Sequence, residues 1–222
     1  MVDARALFTG IAHDYDRPAS LLSFFQYRRW HRALVELLDL TGDDLVLDVA
    51  TGTGLIARDI EAKCRARVIG VDLTPAMLVR SGLDRKAASD ARALPFPDAT
   101  FDAVTFSYLL RYVDDVPGAL LELTRVLKKG GALASVEFGV PRSAVLASLW
   151  KLYSLRVMPL LARPFKGGWA TVGRFLGGSI VQWDLAWPLE KQLRAWDDAG
   201  IDVTRVERMS FGAGIVIVGR KR

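Results

Sequence analysis

Leu45-Val46-Leu47-Asp48-Val49-Ala50-Thr51-Gly52-Thr53-Gly54, followed by Leu55-Ile56-Ala57-Arg58, decides how the rest of this chain is read. A short apolar run that meets two glycines and then resumes with helical spacing predicts a buried parallel strand, a tight turn and a helix start. Gly52 and Gly54 allow positive φ and the close approach of a ligand, and the free N–H groups opening the helix face that ligand. The stretch reads as a nucleotide-binding turn.

The kind of nucleotide follows from the acids nearby. Gly52-x-Gly54-x-x-Ala57 fits a dinucleotide spacing, in which a pyrophosphate rests on the helix N-terminus. A carboxylate at the end of the same strand, Asp48, repels a pyrophosphate and attracts an ammonium or sulfonium charge, as carried by S-adenosyl-L-methionine (SAM). Val68-Ile69-Gly70-Val71-Asp72 is a second apolar strand ending in an acid, and Asp72 lies 18 residues beyond Gly54. That is close to the roughly 20 expected of a ribose-binding acid. Together the two acids predict a cationic cofactor held between the carboxylates of Asp48 and Asp72.

Bulk properties narrow the setting. The 222 residues, 51% hydrophobic and 25% charged, suit one domain spanning 1–222. A net charge of +5 spread along the chain argues against nucleic acid, which favours a basic stripe, and is compatible with an anionic membrane surface. Cys64 is the only cysteine, so neither an intrachain disulfide nor a cysteine-based metal cluster can form. His13 and His31 lack partners at metal spacing and read as solvated helix positions, so no metal is expected. Met1 to Arg5 lacks the pattern of a secretory signal. Ala144 to Phe165 is apolar, but Lys151, Arg156, Arg163 and Pro159 argue against a membrane span.

In chain order, residues 1–40 read as an N-terminal helical lid, broken at Asp14–Pro18 and continuing as a long amphipathic helix from Ser20 to Asp39. Residues 55–64 form a crossover helix and 67–72 a strand. A helix then opens at Thr74-Pro75, with the Thr74 hydroxyl as cap. A short strand lies near Ala87–Ser89, and another over Ala103–Ser107 delivers Ser107 to Tyr112 to the ligand edge of the sheet. Asp114–Leu127 reads as a helix, Lys128-Lys129-Gly130-Gly131 as its stop, and Ala132–Phe138 as a strand with Glu137 near its end. Residues 141–187, with four of the six tryptophans, suggest a helical cover on the substrate side or a layer packed on the sheet. A helix over Leu189–Ala199 and an antiparallel strand pair complete the chain.

These pieces together resemble class I SAM-dependent methyltransferases, and within them the ubiquinone/menaquinone biosynthesis C-methyltransferase family. The similarity runs through Tyr15-Asp16, Leu21-Leu22-Ser23-Phe24, Arg28-Arg29-Trp30, Asp48 to Gly54 and Ala93-Leu94-Pro95-Phe96-Pro97-Asp98. It continues through Phe101-Asp102, Leu110-Arg111, Arg125-Val126-Leu127-Lys128, Gly130-Gly131 and Glu137-Phe138. The chain departs from the family pattern at Ala19-Ser20, at Phe25 and at Tyr112 after Arg111, positions that flank the acceptor side. The resemblance implies an α/β Rossmann-like fold: a mostly parallel seven-stranded sheet with an antiparallel C-terminal strand, helices on both faces and the helical lid.

It further implies SAM as cofactor and S-adenosyl-L-homocysteine as product. Asp48, Ala50, Thr51, Gly52, Gly54, Asp72 and Leu73 are expected around the methionine and ribose, Met77, Asp90 and Ala91 at the adenine, and Tyr15 and Ser107 near the methyl group. The implied acceptor is a small aromatic molecule, foremost a prenylated quinol. The setting is cytoplasmic, peripheral to the inner face of the membrane, with a homodimer among the expectations. C-methylation requires a phenolate, which the fixed charge of Arg111 favours. Tyr112, Glu137, His13 or water is left to take the proton. A natural-product O- or C-methyltransferase, a SAM-binding partner without turnover and a dehydrogenase are the rival readings.

Overall fold

The computed structural model describes residues 4–222. Seven strands form one sheet: β1 (Leu45–Val49), β2 (Arg67–Asp72), β3 (Lys86–Ala88), β4 (Phe101–Ser107), β5 (Leu127–Phe138), β6 (Ile201–Met209) and β7 (Gly214–Lys221). Their order is β3-β2-β1-β4-β5-β7-β6, parallel from β3 to β5, with β7 antiparallel to both β5 and β6. The chain runs outward from β1 to β3 and then returns to pair β4 with β1. The sheet therefore changes direction beside β1, where a crevice opens beyond the strand ends.

Among the described residues ten α-helices surround it: α1 (Ala4–Ile11), α2 (Asp16–Leu22), α3 (Gln26–Leu37), α4 (Leu55–Cys64), α5 (Pro75–Arg80), α6 (Val116–Val126), α7 (Ala144–Leu152), α8 (Met158–Leu161), α9 (Trp169–Ala186) and α10 (Leu189–Asp198). One face of the sheet buries Phe106, Leu120, Leu123, Trp196 and Ile201, and the other buries Trp30, Leu34, Ile56, Ile60 and Val216. Each such side chain contributes about 1.5–3 kcal/mol by leaving water. Apolar runs buried on both faces are what a parallel sheet between helical layers demands.

Several motifs of the family pattern turn out to be clamps. Arg125 of α6 donates to the carbonyls of Leu94 and Phe96, to the Asp98 carboxylate and to Glu122, fixing the proline-rich passage ahead of β4. Asp102 accepts from the Leu45 N–H at 2.9 Å and from Lys128 Nζ at 2.7 Å, tying the starts of β1, β4 and β5 together.

Four expectations need correction. The long helix over 20–39 is two helices, because Phe24 and Phe25 both take left-handed backbone (φ 51° and 62°) between α2 and α3. Pro18 sits inside the first turn of α2, where its missing N–H costs nothing. Lys128-Lys129-Gly130-Gly131 is not the stop of a helix, since α6 ends at Val126 and the strand begins at Leu127. It belongs to β5, whose register against β4 shifts between Phe101 and Ala103 to absorb the extra residues. The Thr74 hydroxyl makes no capping bond to α5; the Thr74 N–H donates instead to Asp72. Apart from these, α7, a five-residue π turn (Tyr153–Val157) and α8 form a continuous helical run from Ala144 to Leu161; it has the length and composition to cross a membrane, but Lys151 and Arg156 within it leave the expectation of no span standing. Residues 1–3 of the expected lid and N-terminal segment lie outside the described residues.

The lid is held to the sheet by Trp30, whose ring lies over Gly214 and whose Nε1 donates to Ser210 Oγ at 3.0 Å. A Cβ on Gly214 would stand 2.6 Å from that ring. Gly214→Ala is expected to lower unfolding stability by about 1–3 kcal/mol through overpacking. Denaturant titration checks this, and an unchanged midpoint would show that the indole is free to move aside.

Candidate active site

The glycine turn joins β1 to α4, with Ala50, Gly52 and Gly54 all at positive φ (55°, 57° and 77°). Beneath it lies Asp48, 1% exposed, its two oxygens accepting from the hydroxyls of Thr51 at 2.6 Å and Thr105 at 2.7 Å. Burial raises its carboxyl to about 6 despite those bonds. The Asp72 carboxylate crosses from β2, accepting from the Gly52 N–H at 2.9 Å and the Thr74 N–H at 2.7 Å. A carboxylate has about four acceptor positions, so both oxygens of Asp72 keep capacity for ligand hydroxyls. The lid joins the same turn: the Thr53 hydroxyl donates to Asp16 at 2.7 Å.

Over the turn opens a cavity of about 350 Å³. Tyr15, Ala50, Thr51, Gly52, Asp72, Leu73, Met77, Asp90, Ala91 and Ser107 all line it, as expected of a cofactor set. Asp48 and Gly54 do not. Asp48 stands under the floor, where its charge acts through the turn, and Gly54 is required by packing, since a Cβ there would lie 2.9 Å from the Ser81 carbonyl. Asp90 carries an ion pair with Arg92 at 2.7 Å on the cavity rim.

A second cavity of about 290 Å³ lies behind the first, walled by α2, α3, the 144–161 helix and α9. Phe8, Tyr15, Tyr27, Tyr108 and Tyr112 line both, so the two spaces meet at an aromatic collar. Its rings interlock: Phe8 stands edge-on to Tyr112 with centroids 5.4 Å apart, and Tyr27 stacks on Tyr108 at 6.0 Å. Beyond the collar the lining is mostly apolar, with Leu22, Trp150, Met158, Val172 and Ile180.

At the edge of the collar Arg111 faces the second cavity. Its Nε donates to Glu137 Oε1 at 3.3 Å and its Nη1 to Ser179 Oγ at 2.9 Å, so the sheet and α9 both hold it. The pair is buried, with Arg111 and Glu137 side chains 3% and 8% exposed. Burial raises the Glu137 carboxyl while the adjacent guanidinium opposes the shift. Glu137 lines neither cavity; it orients Arg111 from behind. Tyr112 packs its ring 4.7 Å from the Arg111 guanidinium carbon, and burial raises its phenol above the ordinary range.

The histidines divide. His13 is exposed and lines neither cavity. His31, expected in solvent, is 3% exposed and lines the first cavity with both ring nitrogens unpartnered. Burial holds it neutral, with its pKa lowered to about 3. The Tyr108 hydroxyl beside it is likewise buried without a partner. Orphaned polar atoms are rare in a closed core, and here they border a cavity, ready for the polar groups of a ligand. The signal was present in the sequence: Tyr27, Trp30, His31, Leu34, Val35 and Leu38 follow the spacing of a buried helix stripe. Among the described residues no group of His, Cys, Asp or Glu is placed to hold a metal ion.

Comparison with known proteins identifies the family and the fold. The chain is 41% identical to a demethylmenaquinone methyltransferase of Mycobacterium marinum, over 99% of its own length and 94% of the relative's. It is 36% identical to one of Thermus thermophilus (96% and 99%) and 34% identical to a ubiquinone/menaquinone biosynthesis C-methyltransferase of Geobacter sulfurreducens (98% and 88%). Among solved structures, a SAM-dependent methyltransferase from Thermotoga maritima shares the fold with a TM-score of 0.66 at 21% identity, covering 98% of this chain and 99% of that one. A geranyl diphosphate methyltransferase in complex with SAM does so with a TM-score of 0.62 at 16% identity, covering 94% and 92%. The model of the ubiE/COQ5 methyltransferase family matches residues 2–221, and the chain belongs to that family as a SAM-dependent methyltransferase.

Proposed function

We propose that the whole chain works as one catalytic unit that C-methylates a prenylated quinol, with SAM in the first cavity, the quinol ring at the aromatic collar and the isoprenoid tail in the second cavity. The observation that carries this reading is the meeting of a polar, acid-bearing cavity and an apolar one at a ring of five aromatic side chains. The relatives named for demethylmenaquinone support it.

Bound SAM supplies a methyl carbon made electrophilic by its sulfonium. Asp72 would accept from the ribose hydroxyls, Met77 and Ala91 would lie beside the adenine, and Asp90 would accept from its amino group. Asp48 contributes charge from below the turn, favouring a cation above it. The collar holds the acceptor ring face-on in a dry space, where alignment of reacting atoms at about 3–3.5 Å supplies much of the rate. Arg111 would stabilise the phenolate that makes the ring carbon nucleophilic, since guanidinium stays protonated and lowers the pKa of a phenol beside it, the phenol proton passing to water. As the ring carbon takes the methyl group the carbon–sulfur bond breaks to leave S-adenosyl-L-homocysteine, and loss of the ring hydrogen to water restores the aromatic ring. Glu137 is a positioning residue for Arg111.

The departures from the family pattern bear on the acceptor. Ala19 and Tyr112 line the second cavity, so a different phenol of similar shape is the second reading. A panel of demethylmenaquinols, ubiquinol precursors and tail-free phenols incubated with labelled SAM decides between them. The expected result is label on the quinol ring carbon, and label only on a phenol oxygen of another acceptor would reject the quinol reading.

Asp72→Ala is expected to weaken SAM binding by about 1–3 kcal/mol, read by calorimetry, through lost charge-assisted hydrogen bonds. The double variant Arg111→Gln/Glu137→Gln removes both buried charges together, avoiding the about 3–5 kcal/mol penalty of leaving one alone. It is expected to keep SAM affinity and to slow turnover about 10- to 150-fold, the loss of one hydrogen bond to a charged group. Normal turnover would take Arg111 out of the chemistry. Acid should also weaken SAM binding. As the pH falls through about 6 the Asp48 carboxyl is protonated, and the association constant is expected to drop by up to about tenfold per pH unit for that one group. A flat profile across that window in folded protein would show that the Asp48 charge is not felt by the cofactor.

A further inference from the structure

The 144–161 helix has an apolar inner face, and its outer face is apolar too. Trp150, Ser154 and Met158, spaced by four, turn inward to wall the second cavity. Val145, Leu149, Leu152, Leu155, Leu160 and Leu161 face solvent, 43–68% exposed, and 11% of the run is buried. The two αL phenylalanines between α2 and α3 extend this surface. Phe24 and Phe25 are 64% and 62% exposed, and the Phe24 ring meets Tyr153 with centroids 5.1 Å apart. Phe24 and Trp150 also line the second cavity, so the exposed apolar rim is continuous with the walls of that space.

The two segments that carry this rim are basic, with Asp184 and Glu190 the acids that reach Lys151 and Arg142 from α9 and α10. Residues 17–35 hold four basic residues and no acid, and residues 138–183 hold six and no acid. With 30 basic and 25 acidic residues in all, the remaining chain has 20 basic against 25 acidic, so a chain of net +5 divides into +10 and −5. All ten of these basic residues are exposed, and among the described residues only Arg142 of the ten forms an ion pair with an acid, at 3.1 Å from Glu190. An exposed apolar stripe flanked by unpaired Lys and Arg is the pattern of a helix lying in the plane of an anionic lipid surface.

We propose that the 144–161 helix, together with the Phe24-Phe25 corner, docks on a bilayer bearing anionic headgroups, with the mouth of the second cavity opening into the lipid. The helix lies in the interface and does not span, because its inner stripe is a wall of the cavity and Lys151 and Arg156 lie within its length. Their long stems keep the ammonium and guanidinium groups at headgroup level while the leucines enter the acyl boundary. The placement gives a prenylated acceptor a route into the cavity without crossing water; in that respect it rests on the function proposed above, whereas docking itself needs no acceptor.

The test uses the full chain without acceptor. Wild-type protein is mixed with phosphatidylcholine vesicles, with and without about one-third phosphatidylglycerol, and sedimented at about 0.1 M and about 0.5 M salt. Binding is expected to the anionic vesicles, weakening at the higher salt. Leu149→Asp/Leu152→Asp, at exposed positions outside both cavities, is expected to lower the partition coefficient at least about tenfold. Lys151→Gln/Arg156→Gln should lower it on anionic vesicles only. In both variants methylation of a short-tailed, water-soluble quinol should proceed at the wild-type rate, which separates a failure of docking from a failure of the proposed reaction. Equal sedimentation of wild type and the leucine variant would overturn the proposal. So would a wild-type homodimer in analytical ultracentrifugation that the leucine variant splits while neither binds vesicles, since the surface would then be a subunit interface.

Discussion

A carboxylate taken out of water at the end of β1 is the constraint on which the rest of this molecule turns. Asp48 bridges the hydroxyl of Thr51 in the glycine turn and that of Thr105 in β4, the strand on the other side of the change in sheet direction. Burying an acid costs several kcal/mol unless its oxygens are satisfied, so the turn and the strand are held where those two hydroxyls must be. That fixes Gly52 within reach of Asp72 and sets the floor of the first cavity. The remaining strain shows in the raised carboxyl, whose ionised form gains most when a cation settles above it.

From that floor the division of labour follows. Polar groups are concentrated on the β1–β2 side, where the turn exposes N–H groups, and apolar ones on the side of the helical cover. The aromatic collar separates them without closing either, because rings offer flat apolar faces and, in tyrosine, a polar edge. A buried ion pair at its rim, Arg111 with Glu137, is also bonded to Ser179 of α9. The helical cover and the sheet are thereby joined beside the collar.

The sheet was legible because its signals are local: apolar runs, glycines at the turn, acids at strand ends. All seven strands were expected near their places, and ten of the twelve expected cofactor residues line one cavity. What escaped was depth. The sequence puts Asp48 and Glu137 at strand ends but does not say whether a side chain there enters the crevice or stays beneath it, and both stay beneath. His31 lacks sequence partners at metal spacing and so reads as solvated, although its neighbours at helical spacing are buried. The Phe24-Phe25 corner carries no local sign of left-handed backbone, which bulky residues resist. It is closed by backbone bonds across the end of α2, from the Phe24 N–H to the Leu21 carbonyl and from the Phe25 N–H to the Ser20 carbonyl at 2.6 Å.

That corner ties strain to surface. Left-handed backbone at two consecutive aromatic residues is unfavourable and persists only where packing over-determines it. A turn made of glycine or asparagine would have relieved it at the same place in the chain. Phenylalanine there presents two rings to solvent beside an already apolar helix, a second unfavourable arrangement for a protein in water. Both become reasonable together if the rings are seldom in water. An acceptor with a long hydrocarbon tail resides in lipid, and a cavity mouth framed by solvated charges would make it leave that phase before it could bind. On the docking proposed above, exposed apolar rim, neighbouring basic residues and left-handed aromatic corner are one adaptation, and the sheet's contribution is to hold the cofactor floor rigid beneath the helical cover.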